Sequence, residues 1–148
     1  GCSNGHTTKE LSDIFPESKI FGLDLYRFPY MSRYRNRRIQ FIVADGFMPS
    51  FAQESFDVVF CNNNLSFSIA ESARSKNMMR AFQNIMSIVK NKGYLIIGDK
   101  SDEFFQSNLG IFLKENNKLV VETIRQGDGS SLYRTLDFLY DRGFLVNN

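Results

Sequence analysis

Short apolar runs that end at an aspartate recur along this chain. KIFGLDLY (19–26) carries Asp24, IQFIVAD (39–45) ends at Asp45, and YLIIGD (94–99) ends at Asp99. Runs of this length without polar alternation fit strands buried on both faces. SFDVVFCNNN gives another strand, 56–61, which stops at Asn62, Asn63 and Asn64, read here as a loop because asparagine sits poorly inside a sheet. The intervening segments carry helical spacing. Leu11, Ile14 and Phe15 predict a helix over 8–15, with Thr7 or Thr8 as N-cap and Pro16 as its stop. Pro29 opens a weaker helix over 29–36. Met78, Met79, Phe82, Ile85, Met86 and Val89 predict a long helix over 70–91, with Lys90 and Lys92 near its C-terminus and Gly93 as a stop. Strands that alternate with helices in this way form a parallel sheet covered by helices on both faces, an α/β fold.

The tail reads differently. A helix is expected over 108–116, after which KLVVETIRQ, the turn GDGS and SLYRTLDFLY read as a hairpin over 119–140. Leu132, Tyr133, Leu136, Leu139 and Tyr140 also fit helical spacing, with Gly143 as a stop, so a final helix competes with the second strand. No internal repeat or linker interrupts the sequence, and residues 1–148 are read as a single domain.

Composition narrows the function classes. With 148 residues, 43% of them hydrophobic, the chain has enough apolar material for a core. No run approaches the roughly 20 apolar residues of a membrane helix, and no membrane association is expected. Cys2 and Cys61 are too few for a disulfide framework, and one histidine gives no metal set, so a cytoplasmic location is expected and no metal. A net charge of +2 does not announce a nucleic-acid partner. The run YRFPYMSRYRNRR (26–38) holds Arg27, Arg33, Arg35, Arg37 and Arg38. Such a run can follow a phosphate backbone, but a solvated face is favoured.

The opening stretch GCSNGHTT leads straight into the first helix. A glycine-bracketed turn into a helix N-terminus presents backbone N–H groups to an anionic ligand. In dinucleotide folds the next strand ends, about 20 residues on, at an acid that accepts hydrogen bonds from ribose hydroxyls, and Asp24 stands 19 residues beyond Gly5. The full GxGxxG pattern is broken, because Ser3 and Thr8 occupy glycine positions. A pyrophosphate is therefore disfavoured, and an adenosine carrying an amino-acid arm, S-adenosylmethionine, is favoured.

Together these residues resemble the class I S-adenosylmethionine-dependent methyltransferases, and the resemblance covers nearly the whole chain. It implies a Rossmann-like three-layer α/β sandwich, with a mostly parallel sheet and a C-terminal antiparallel hairpin. GCSNGHTT is similar to the family's GCGxGxxT loop, with Ser3 where glycine is commoner, which implies contact of Gly1, Cys2, Ser3 and Gly5 with the methionine portion. Asp24 matches the acid that holds the ribose hydroxyls, and Leu25 the residue that packs on adenine. Asp45, Gly46 and Phe47 resemble the adenine-binding segment, and FDVVFCNNNL, through Asn62, the strand and loop facing the methyl group. In the family a central strand immediately precedes the loop, so the natural protein is expected to extend N-terminally beyond Gly1, and activity of these residues alone is doubted.

The expected function is methyl transfer from S-adenosylmethionine to a small-molecule acceptor. The alternatives are a non-catalytic adenosyl-binding module or partner-completed subunit, and a nicotinamide-dependent oxidoreductase. Asn62, Asn64 and Asp99 are weak candidates for orienting the nucleophile or accepting its proton. His6 is read as lining the loop and Cys61 as packing. Asp57 starts its strand and so belongs to the end opposite the ligand. The sequence does not specify the acceptor or an oligomeric state.

Overall fold

The computed structural model describes residues 2–62, 76–100, 107–125, 136 and 139–146. The chain forms two compact units, Gly1–Ser50 and Phe51–Asn148.

In the first unit, helix α1 (His6–Ile14) leads to strand β1 (Ile20–Asp24), a one-turn helix α2 (Met31–Tyr34) and strand β2 (Ile39–Val43). β1 and β2 are parallel, in register from Ile20 opposite Ile39 to Asp24 opposite Val43. Both aspartate-tipped runs are therefore strands, and their C-terminal ends lie side by side. α1 starts two residues before the expected 8. Gly5, not Thr7 or Thr8, is its N-cap, at φ 88°, and Thr8 is buried instead. Arg38 closes the other end, donating from Nη1 to the carbonyls of Ser12 at 3.0 Å and Pro16 at 2.6 Å. Cations are favoured at exposed carbonyls of this kind. Ile39 and Met31 form the buried apolar centre of this unit.

In the second unit, strand β3 (Phe56–Asn62) is followed by helix α3 (Lys76–Ile88) and strands β4 (Val89–Lys100), β5 (Ser107–Glu115), β6 (Lys118–Arg125) and β7 (Leu145–Val146). They form one sheet in chain order. β3–β4 and β6–β7 pair parallel, while β4–β5 and β5–β6 pair antiparallel. Ala81, Phe82, Ile85 and Met86 make the buried stripe of α3, at the spacing read from sequence, and Leu95, Ile97 and Phe112 are fully buried on the sheet.

Several expectations are corrected here. Residues 108–116 are not a helix; β5 occupies them. Its side chains alternate in burial, with Gly110, Phe112 and Lys114 buried and Leu109, Ile111 and Leu113 less so. Lys114 disguised the pattern, being a cation seated on the core face, where its Nζ donates to the Val89 carbonyl at 2.7 Å and lies 3.7 Å from Glu54. The antiparallel hairpin exists but is β5–β6, not 119–140. Its turn is Asn116–Asn117, both at positive φ as a two-residue hairpin turn demands.

GDGS lies outside the described residues. Beyond it, Leu136 and 139–141 are helical rather than extended. This segment ends in a Schellman arrangement, in which Gly143 N–H donates to the Tyr140 carbonyl and Phe144 N–H to that of Leu139. The long helix stops at Ile88, not 91. Lys90 and Lys92 belong to β4 and pair with Asp57 and Glu115. Finally, Asn62 is the last residue of β3, opposite Gly98, rather than the first of a loop, and Asp99 lies within β4, opposite Asn108, rather than at its end.

Gly93 is held by close approach. A Cβ there would lie 2.8 Å from the Asp57 carbonyl oxygen and 2.9 Å from that of Lys90, and backbone oxygens do not swing aside. Gly93→Ala is expected to cost about 1–3 kcal/mol, the range for overpacking, measured as a lower urea midpoint with an unchanged m-value.

Candidate functional site: the loop and strand tips of the first unit

The loop before α1 is fastened to the end of β1. Cys2 N–H donates to the Leu23 carbonyl at 2.8 Å, and Gly5 N–H turns back to the Cys2 carbonyl at 3.0 Å. Ser3 N–H donates to Asp24 Oδ2 at 2.8 Å, and Tyr26 N–H to Asp24 Oδ1 at 3.1 Å. Asp24 thus ties the loop to its own strand through one bond on each oxygen. An ionised carboxylate has about four acceptor sites, so each oxygen keeps a lone pair for hydroxyl donors. Ser3 holds φ 49°, the left-handed region that a glycine would enter without strain.

The tip of β2 lies alongside. Ala44 N–H donates to the Asp24 carbonyl at 2.9 Å. Asp45 then forms a side-chain turn, its Oδ1 accepting Phe47 N–H at 2.9 Å, and its carbonyl accepts Met48 N–H at 3.1 Å. Apolar side chains remain open around these tips: Leu25 is 57% exposed, Val43 54% and Met48 48%. Two carboxylates beside exposed apolar groups suit a ligand with hydroxyls at one part and a planar ring at another.

Gly5 is fixed by shape as well as by φ. A Cβ on it would lie 2.7 Å from the Phe41 ring, which also fills the space above Gly22. Tyr34 packs on the same glycine, and its hydroxyl lies 3.2 Å from His6 Nδ1. Gly5 offers α1 no side-chain cap, and Asn4 Oδ1 accepts the His6 N–H at 3.4 Å in its place; the first-turn N–H groups have no acceptor within the helix.

The structure therefore brings together Cys2, Ser3, Gly5, Asp24, Leu25, Asp45, Gly46 and Phe47. Gly1 and Asn64 lie outside the described residues, and Asn62 and Asp99 belong to the second unit. Burial, and after it the charge of Asp24, pushes the Cys2 thiol up. Desolvation pushes Cys61, half-buried and paired with Ile97 on the core face, up to about 11. Neither is a thiolate near neutral pH, which removes both as ready nucleophiles. The Lys90 ammonium bonded to Asp57 at 2.7 Å holds that carboxyl below its usual range, an exposed pair at the start of β3.

Sequence reasoning missed Tyr34, Phe41 and Arg38. Phe41 and Tyr34 lie inside apolar or aromatic-rich runs where nothing in the pattern distinguishes them. Arg38 belongs to the arginine-rich run read as a solvated face, and its acceptors, the Ser12 and Pro16 carbonyls, lie 26 and 22 residues away in sequence. Within that run Arg33 lies over the Tyr30 ring, 4.6 Å from its centroid, while Arg27, Arg35 and Arg37 are exposed.

The model of a methyltransferase domain family matches residues 1–97, more than half of the chain. The chain belongs to this methyltransferase family. No curated protein matches it. Solved structures share its class I, Rossmann-like fold. An S-adenosylmethionine-dependent methyltransferase from Mesorhizobium loti aligns at TM-score 0.54 and 18% identity over 68% of this chain and 44% of its own. The plantazolicin methyltransferase BpumL, solved with a pentazolic desmethylPZN analog and S-adenosylhomocysteine, aligns at 0.53 and 18% over 67% and 37%. The [4+2]-cyclase SpnF aligns at 0.52 and 16% over 70% and 39%. This methyltransferase chain spans less than half the length of each. Among its described residues no helix is long and apolar enough to cross a membrane, and no three His, Cys, Asp or Glu side chains gather as a metal site.

Proposed function

We propose that the protein transfers a methyl group from S-adenosylmethionine to a small-molecule acceptor in the cytoplasm. The observation that carries the reading is Asp24, clamped by the Ser3 and Tyr26 amides with a lone pair free on each oxygen. In this reading Asp24 accepts the ribose hydroxyls. Gly1, Cys2, Ser3 and Gly5 line the amino-acid arm, and Leu25, Asp45, Gly46 and Phe47 take the adenine. Asn62 and Asn64 are the candidates for orienting the nucleophile, and Asp99 the candidate for accepting its proton. The bound cofactor supplies an electrophilic methyl on a sulfonium. What the protein adds is alignment of the nucleophile and exclusion of water. BpumL, solved with S-adenosylhomocysteine, supports an adenosyl ligand for this fold, and two free cysteines suit a reducing compartment.

Calorimetric titration with S-adenosylhomocysteine tests the pocket, and transfer of label from methyl-labelled S-adenosylmethionine to a small-molecule extract tests the reaction. Binding and small-molecule labelling are expected; a protein that binds NADH and not S-adenosylhomocysteine contradicts the reading. Asp45→Ala is expected to weaken S-adenosylhomocysteine by about 1–2 kcal/mol. Asp57→Ala, which breaks only the pair with Lys90, is expected to leave that affinity unchanged.

A further inference from the structure

We infer that Phe41 is a positioning residue for the adenosyl site, its ring setting how far the loop before α1 stands from the strand tips. The inference rests on the adenosyl reading above. Phe41 pairs with Gly22 across the β1–β2 ladder. A glycine inside a strand often marks the close approach of another group, and here that group is the Phe41 ring. A Cβ on Gly22 would lie 2.7 Å from its Cδ1 and 2.8 Å from its Cε1. The same ring reaches the loop. A Cβ on Gly5 would lie 2.7 Å from Cζ and 2.8 Å from Cε1. The base of the ring therefore lies over β1, and its far end stops against the residue at which the loop becomes α1.

The loop is held differently at its two ends. At Cys2 and Ser3 it is bonded to β1, through the Leu23 carbonyl and the Asp24 carboxylate, at 2.8 Å each. Gly5 uses its backbone groups locally, its N–H on the Cys2 carbonyl and its carbonyl on the Lys9 N–H. Its place against the sheet is set by contact instead. Close contact resists approach steeply, and a gap forfeits the dispersion attraction of the atoms removed. Without the far end of the ring, Gly5 can settle toward the sheet and carry the loop away from its present place beside Asp24. Phe41 stands two residues before Val43, the last of β2, and the Asp45–Phe47 turn follows that tip. One strand thus carries both the ring and the turn, and the ring fixes the loop relative to each aspartate. Phe41 acts through Gly5.

Leucine and methionine separate reach from bulk. They exchange in cores at small cost because their volumes are similar. Leucine ends near the position of the ring's Cδ atoms, over Gly22, whereas unbranched methionine extends far enough to meet Gly5. Ile39→Val is the control for stability alone, because Ile39 is fully buried on the same face of β2 at the end away from the tips. Calorimetric titration with S-adenosylhomocysteine is expected to show Phe41→Leu weakened about fivefold or more and Phe41→Met within about twofold of wild type, as for a site held or lost by its support. Urea unfolding of the same proteins is expected to give the two variants similar midpoints. Ile39→Val unfolds earlier than wild type and binds as wild type does. Equal affinities for the leucine and methionine variants, an unchanged Phe41→Leu, or a loss in Ile39→Val as large as in Phe41→Leu each overturns the positioning role and leaves the adenosyl site standing. Wild-type protein that does not bind S-adenosylhomocysteine overturns the adenosyl reading itself, and the inference with it.

Discussion

Asp24→Ala is expected to weaken S-adenosylhomocysteine binding roughly 30- to 1000-fold, about 2–4 kcal/mol. Two losses combine. Ribose hydroxyls lose one or two charge-assisted bonds, and the Ser3 and Tyr26 amides, now at 2.8 and 3.1 Å from the carboxylate oxygens, lose their acceptor. The second loss loosens the loop and adds about 1 kcal/mol per bond to the cost in stability. Asp24→Asn separates the two, since its amide oxygen can keep one of the backbone donors while its NH₂ faces the other. It is expected to bind more weakly than wild type yet melt closer to it than Asp24→Ala. Calorimetry beside thermal unfolding reads both quantities, and unchanged affinity in Asp24→Ala contradicts the assignment.

Phe82→Ala is expected to cost about 3–5 kcal/mol of folding stability, the range for a fully buried aromatic. Phe82 has no exposed surface, and its ring meets that of Phe144 edge-on at 4.8 Å. It therefore joins α3 to the chain just after the Gly143 turn, and alanine leaves a cavity on both sides of that junction. Against a typical total of about 5–15 kcal/mol this is a large fraction. Val58→Ala, at a side chain 49% exposed, is expected to change stability by no more than about 0.5 kcal/mol. Urea unfolding of the two variants checks the contrast. Similar midpoints for both place the core elsewhere.

The placement of the loop beside the strand tips was legible where local chemistry declares itself. A glycine-bracketed loop, a helix and an acid at the next strand tip are adjacent in sequence and adjacent in the structure, because a five-residue parallel pair leaves little freedom in where its tips fall. α3 was legible for the same kind of reason: one amphipathic stripe of five or six apolar residues has a single face to bury. What failed was long-range. Nothing near Lys114 in sequence announces that its ammonium will reach the Val89 carbonyl, so FLKE read as the end of a helix. Asn116 and Asn117 are a strong turn signal, but GDGS, ten residues later, drew the hairpin to itself. Tyr34 on His6 and Arg38 under α1 are tertiary contacts between segments 22 to 28 residues apart, and periodicity carries no record of them.

A crystal structure of the protein with S-adenosylhomocysteine bound decides whether the tips of β1 and β2 are a nucleoside site. The ribose hydroxyls are expected within about 3 Å of the Asp24 carboxylate, with the purine against Leu25 and Phe47 and the thioether arm along Ser3 and Gly5. A nucleoside seated away from Asp24, or none at a saturating concentration, contradicts it.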